Sequence, residues 1–557
     1  MHIFGRRYHA RMIIPPAADL VLLADSGFSG TRAFAHPVAV GIRGHRIAWV
    51  APRAQAGTGA CPLAPNVRMH DFGSAFIMPG FHDAHLHFFH AALYASPLAT
   101  MFVGTSEADC VRRLQEFAAT RPRGSWLLAQ GWREYRWDPS ALPGRTSLDA
   151  AFPDQPVALY SGDAHTLWLN GCALRELGIS NTSEPPAGGT YDRDANGRLT
   201  GIVREAAAME LMPRIVDGFT RAELLDAYDG FQRQLNAQGV TAVCDLALSA
   251  TSGLDFVRDD LFCELERTGR LSVRAHLFPT LVPGTRRLEE LQAQLTGPLV
   301  RACGYKQFFD GVSSQHTAWL AEPYANARTP GERGRPTVDP QLMGQLVGGA
   351  LEVGRRVRIH AIGDEAIHQA LDIREQAEGA GALVLEHVEN FQPADIQRLA
   401  DLDVVASVQP RHITLDPGGP ERDLGPERVP FMWPFRSLLD AGATLAFGTD
   451  APVTATDPLA AVYTAVTRRD ADARLPEGGW LPNEAITVEE ALAAYTAGSA
   501  AACGRAHELG RLAPGMLADV AVFDRDLTAV DPEDLQNACV LATLINGNAG
   551  HESSVPS

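Results

Sequence analysis

The chain has 557 residues, 46% of them hydrophobic and 20% charged, and a formal net charge of −18. That balance describes a globular protein without a disorder signature and excludes nucleic acid and acidic membrane surfaces as partners. Eight scattered cysteines with no C-x-x-C pair, no secretory h-region and no run of about 18 apolar residues lead to the expectation of a cytoplasmic protein.

In chain order, residues 19–55 (DLVLLADSGF, PVAVGIRGHRIAWVAP) alternate around glycine-containing turns, and 517–526 and 539–548 have the same character. This predicts one small β-sandwich domain, 1–78 plus 508–557, assembled from both chain ends. Between them, over 79–507, a unit repeats: a short apolar strand, an ionisable residue at its C-terminal end, then an amphipathic helix. The strands are expected at 75–87, 157–165, 240–245, 303–310, 356–364, 383–390, 404–412 and 444–452. Such units predict an α/β fold built on a (β/α)8 TIM-like barrel, with its chemistry at the C-terminal strand ends. Residues 105–155 and 181–235 read as helical or loop insertions over the barrel mouth.

The first strand ends in FHDAHLHF. His85 and His87, at i and i+2, face one side and can reach one metal. Two histidines at that spacing also arise by accident, so the pair gains weight only from later strands. His360 closes RVRIH, His387 closes LVLEH and Asp450 closes TLAFGTD; five donors on four strand ends would converge at one mouth. Taken alone, Asp450 could equally cap the next helix.

GYKQFFDG contains Lys306, the only lysine among 48 basic side chains. A neutral lysine amine reacts with carbon dioxide to give a carbamate, an anionic ligand able to bridge two metals; a guanidinium cannot. The plainer alternative is an ion pair with Asp310. Asp163 and His165 would end a strand, facing substrate or orienting ligand histidines, and Glu205 lies in an insertion. Arg411 and His412 could recognise a carbonyl or carboxylate. Trp132, Trp137, Trp168, Trp319 and Trp433 fall on expected mouth segments and suggest an apolar or aryl group in the substrate, unless they pack the loops. Cys244 could be a thiolate ligand or buried filler.

In this order GFHDAHLH, GYKQFFDG, RIHAIGD, LEHVE and FGTDAP resemble the successive motifs of the metal-dependent amidohydrolase superfamily. SGDAHTLWLN, GIVREA, DGVSSQHTAWL and SVQPRH are similar to its YtcJ-like branch, which includes N-substituted formamide deformylases. The tail GRLAPGMLADVAVFD departs by a methionine where the family has lysine after PG. The resemblance implies a binuclear site. His85 and His87 would hold one metal and His360 and His387 the other. Lys306 would be the carboxylated bridge, and Asp450 would lie beside the bridging water as base and then acid. Two divalent ions are expected, zinc by their donor set, although some relatives bind one. The expected reaction is hydrolysis of a non-peptide carbon–nitrogen bond in a small-molecule amide: an N-acyl or N-formyl amine, or a cyclic amide. Ester or carbamate hydrolysis, decarboxylation and a catalytically silent binding protein stay open as alternatives. Homodimers are common among such relatives.

Overall fold

A computed structural model describes residues 15–162, 166–186, 189–249 and 255–552. Eight parallel strands position the functional residues: β1 (Phe81–Leu86), β2 (Val240–Leu246), β3 (Arg274–Phe278), β4 (Tyr305–Phe308), β5 (Val357–Ala361), β6 (Leu383–His387), β7 (Val405–Val408) and β8 (Thr444–Phe447). Nearly every residue in them is buried, as expected of parallel strands covered on both faces. Helices lie between successive strands. Pro340–Glu352 and Pro458–Thr467 each begin with proline behind a capping aspartate, Asp339 and Asp457, whose side chain takes two first-turn N–H groups.

The strands form two sheets, β1-β2-β3 extended by Val300–Ala302, and β4 through β8. Val300–Ala302 runs on into β4 after two residues, so one interrupted strand is shared between the sheets. There Lys306 N–H donates to Pro279 O at 2.9 Å and Leu281 N–H to Lys306 O at 2.8 Å. At the opposite edge Leu86 bridges Ala451, and Asp450 N–H donates to His85 O at 2.7 Å. Gly448 allows this approach, because a Cβ there would lie 2.4 Å from the His85 nitrogen.

Both chain ends meet in a second layer. One sheet contains Ala18–Ala24, Val38–Arg43, Arg46–Pro52 and Leu63–Asp71. The other contains Ser26–Gly27, Phe76–Pro79, Val520–Phe523, Val540–Ile545 and Asn548–Glu552. Leu22, Val40 and Ile42 pack against Ile77, Val520 and Leu544 in one core. Buried Arg274 of β3 ties this layer to the parallel sheets through Asp519 and Asn546.

Two expectations need correction. Val157–Ser161 does not join the parallel sheets; it lies in a separate six-stranded sheet with Ala99–Met101, Leu127–Trp132, Thr166–Leu169, Leu199–Glu205 and Gly189–Arg193. The insertions expected as helix or loop therefore share a sheet. The missing parallel strand is β3, whose Arg274 and His276 obscure an otherwise apolar run. Among the described residues no helix is long and apolar enough to cross a membrane.

Candidate metal centre

Six chemically able side chains meet where β1, β5, β6 and β8 end, with Lys306 reaching in from the second position of β4. His85 Nε2 lies 3.3 Å and His87 Nε2 3.1 Å from Asp450 Oδ1. The His387 ring is 4.9 Å from that of His85 and 4.5 Å from that of His360, centroid to centroid. Lys306 Nζ lies 4.9 Å from the centre of the Phe308 ring.

Hydrogen bonds at the far side of each ring set the tautomers. Carbonyl and carboxylate oxygens only accept, so the nitrogen facing one carries the proton. His85 Nδ1 donates to Glu386 Oε2 at 2.7 Å, His87 Nδ1 to Leu246 O at 2.8 Å and His387 Nδ1 to Gln409 Oε1 at 2.8 Å. His360 donates instead through Nε2, to Gly311 O at 3.1 Å, which leaves Nδ1 with its lone pair. Burial pushes His85 down to about 4 and His360 to about 3, and holds His387 well below the usual range. Neutral rings are what a metal requires. Burial alone would raise Asp450; its carboxyl falls well below the ordinary value only where the facing His85, His87 and His387 rings are protonated, a positive charge that a metal cation would supply in place of those protons.

Lone pairs of His85 and His87 therefore point at an anionic oxygen with no proton between them, an arrangement that a cation relieves. Lys306 is fully buried, Nζ has no hydrogen-bond partner among the described residues, and burial lowers it to about 8. An amine so placed has an accessible neutral form and space for a ligand group. These residues fit a divalent metal.

Sequence reasoning passed over the supports. Glu386 and Arg358 are completely buried; Arg358 Nε donates to Glu386 Oε1 at 2.6 Å and Nη2 to Ala84 O at 2.7 Å. Arg358 stands two residues before His360 and so shares its strand face, a signal that could have found it. Glu386 and His387 are neighbours that both meet His85; the left-handed backbone of His387 (φ 70°) is where strand alternation ends. Asp450 is also left-handed (φ 57°), held by Asp83, which accepts from Thr449 N–H at 3.1 Å and Thr449 Oγ1 at 2.6 Å.

A cavity of about 1050 Å³ opens over the centre. His412 lines it, with Nε2 3.7 Å from Asp450 Oδ2. Other substrate candidates are placed elsewhere. Trp132 is 1% exposed, donates to Leu159 O at 3.0 Å and packs with Trp137 and Trp168 inside the insertion, filling its core. Trp319 packs on Phe309, Arg411 pairs with Asp472 at 2.7 Å, and Glu205 is exposed at a strand end; none of the three lines the cavity. Trp433 does line it. Asp163 and His165 lie outside the described residues. Asp310 does not pair with Lys306; it accepts from the backbone N–H groups of Ile362, Gly363 and Trp319. Cys244 faces His82, away from the centre.

The sequence profile described as "Amidohydrolase family" matches residues 71–549. Protein LONG AFTER FAR-RED 3 of Arabidopsis thaliana is 30% identical, over 96% of this chain and 93% of the relative. Putative amidohydrolase YtcJ of Bacillus subtilis is 28% identical, over 88% and 92%. The N-substituted formamide deformylase of Arthrobacter pascens is 27% identical, over 92% and 95%. Among solved structures, a metal-dependent hydrolase from Pyrococcus horikoshii has the same fold, with a TM-score of 0.75, 24% identity and coverage of 92% and 99%.

Proposed function

This chain belongs to the amidohydrolase family, and from that premise we propose that it hydrolyses a non-peptide carbon–nitrogen bond in a small amide, on a closed (β/α)8 barrel. The observation that carries the reading is the convergence of two imidazole lone pairs on Asp450 beside a Lys306 amine that has no hydrogen-bond partner among the described residues. His85 and His87 would hold one ion, His360 and His387 another, with Lys306 as a carbamate between them and Asp450 facing both. Bound divalent ions, zinc by these donors, supply Lewis acidity towards a carbonyl and make water acidic enough to ionise near neutral pH. Asp450 takes the proton of the attacking water at Oδ2 and returns it to the departing nitrogen. His412, whose Nε2 lies 3.7 Å from that oxygen without a hydrogen bond, donates towards a substrate carbonyl.

The cavity has two unlike walls. Met101, Met209, Met212, Leu248 and Phe256 come from the insertion and the loop after β2; Met101 is 46% exposed, and Met209 and Leu248 are also exposed. Asn326, Arg328, Asp416, Arg422 and Asp423 come from the loops after β4 and β7, which are joined where Ala325 N–H donates to Asp423 O at 2.8 Å. Adaptable exposed apolar side chains in a groove favour a substrate with a sizeable apolar or aryl group on one side of the amide.

The test combines metal analysis, an amide panel and Lys306→Ala. About two zinc equivalents beyond any ion held elsewhere in the chain, with amine release, support the reading. Lys306→Ala should lose activity by a factor on the order of 10³ and regain part of it with added short-chain carboxylates, which can stand where the carbamate was. Release of carbon dioxide without amine would indicate decarboxylation. No metal uptake from zinc and bicarbonate, together with no turnover, overturns the proposal.

A further inference from the structure

Between the metal centre and the N-terminal strand ends lies a second set of donors for which the chemistry above has no use. His82 of β1, Cys244 of β2, His276 of β3 and Cys503, which follows helix Ser499–Ala502, offer four ligand atoms that all lie within 4.8 Å of one another. Each is at most 2% exposed. His82 Nε2 is 3.6 Å from Cys244 Sγ, and the His82 and His276 rings are 4.8 Å apart. His82 Nδ1 has no partner among the described residues, so this buried ring satisfies neither nitrogen strongly. His276 Nδ1 faces Val243 O at 3.2 Å, which leaves its lone pair on Nε2.

We propose that His82, Cys244, His276 and Cys503 form a second metal site, for a borderline-soft divalent ion of the zinc type. Two imidazoles and two sulfurs are the donor set of closed tetrahedral zinc sites. Binding releases both thiol protons, and two thiolates neutralise a dication, so the interior gains no net charge. Arg505 flanks the cluster, two residues beyond Cys503. Its Nη1 now donates to His276 Nε2 at 3.0 Å; the ion takes that lone pair, and Arg505 keeps Glu508 Oε1 at 2.9 and 2.7 Å. A surface pocket of about 250 Å³, lined by Cys303, Arg356, Cys503 and Gly504, reaches one of the four donors, Cys503. With four protein ligands no position is left for substrate. The ion would join β1, β2 and β3 to the segment after Ser499–Ala502, a structural role.

Cobalt separates this site from the catalytic one, whose donors include no sulfur. Apo-protein titrated with Co²⁺ should develop near-ultraviolet thiolate-to-cobalt charge-transfer absorption, displaced by Zn²⁺. Cys244→Ser and Cys503→Ser should each lose that band while keeping the visible cobalt bands of the other centre. Cys539→Ser, at the exposed cysteine, should keep both. Saturation of the visible bands without charge transfer, or a band that survives both buried substitutions, overturns the proposal. Should those variants fail to fold, X-ray absorption on the zinc-loaded wild-type protein decides: sulfur at about 2.3 Å is expected, and a shell of nitrogen and oxygen alone overturns it.

Discussion

At the residue scale, the centre depends on a buried anion outside the set of candidate ligands. Glu386 accepts from His85 Nδ1 and from Arg358, and these two hold its carboxyl well below the usual range although burial acts to raise it. The carboxylate fixes His85 with Nε2 free to coordinate. Glu386→Gln keeps the shape but removes the charge, so metal affinity should fall about 10- to 100-fold, measured by competition with a chelator. Unchanged affinity would reduce Glu386 to a partner of Arg358. Such supports are hard to read in a sequence. Histidines at strand ends announce themselves, whereas a glutamate inside LVLEH acquires its meaning from residues far away in the chain.

Elements show how pH enters the fold. The helix Phe88–Tyr94 starts directly after His87, and Phe88 N–H donates to Asp245 Oδ1 of β2 at 2.9 Å. Burial pushes Asp245 from 3.8 up to about 8. The folded chain thus keeps this proton up to about pH 8, whereas the unfolded chain releases it near pH 4. Its contribution is complete below pH 4 and declines as pH rises towards 8, because there the folded state binds more protons than the unfolded one. Asp245→Asn should remove that decline and gain a few kcal/mol over wild type near pH 8, read from denaturant midpoints across the range. Parallel slopes in the two proteins would rule the group out.

At the same scale, seven of the eight expected parallel strands were legible, since alternating strand and helix periods survive in a single sequence. The exceptions have a physical cause. Val157–Ser161 looks like its neighbours because a strand covered on both faces is apolar whichever sheet it joins. Arg274 and His276 hid β3 because their polar groups are satisfied by Asp519, Asn546 and Arg505, partners from the chain's last sixty residues. Trp132 resembled a binding residue only while its neighbours in space were unknown.

For the whole molecule, the Arg274–Asp519 pair is the polar link between the parallel sheets and the layer formed by the chain ends. Both partners are buried, and Arg274→Ala would leave Asp519 without its main counter-charge. Loss of about 3–5 kcal/mol is expected, seen as a lower midpoint with both layers unfolding together. Separate unfolding of the two layers at the wild-type midpoint would show that the pair couples nothing. Binding of a divalent ion at the candidate centre should act in the opposite direction, by about 2.7 kcal/mol at a hundredfold excess of free ion over Kd.

The seam at Leu86 and Ala451 also governs how the protein can be made. Asp83 and Thr449, which hold that seam, are 366 residues apart, and Val520–Phe523 pairs with Phe76–Pro79 from the opposite end. On the ribosome β1 emerges early and waits through most of translation with its histidines and sheet edge uncovered. Contacts of such sequence separation form slowly, so the nascent chain is exposed to aggregation until its final segments are released. Synthesis outpacing chaperone supply should therefore yield insoluble protein even when the finished enzyme is stable.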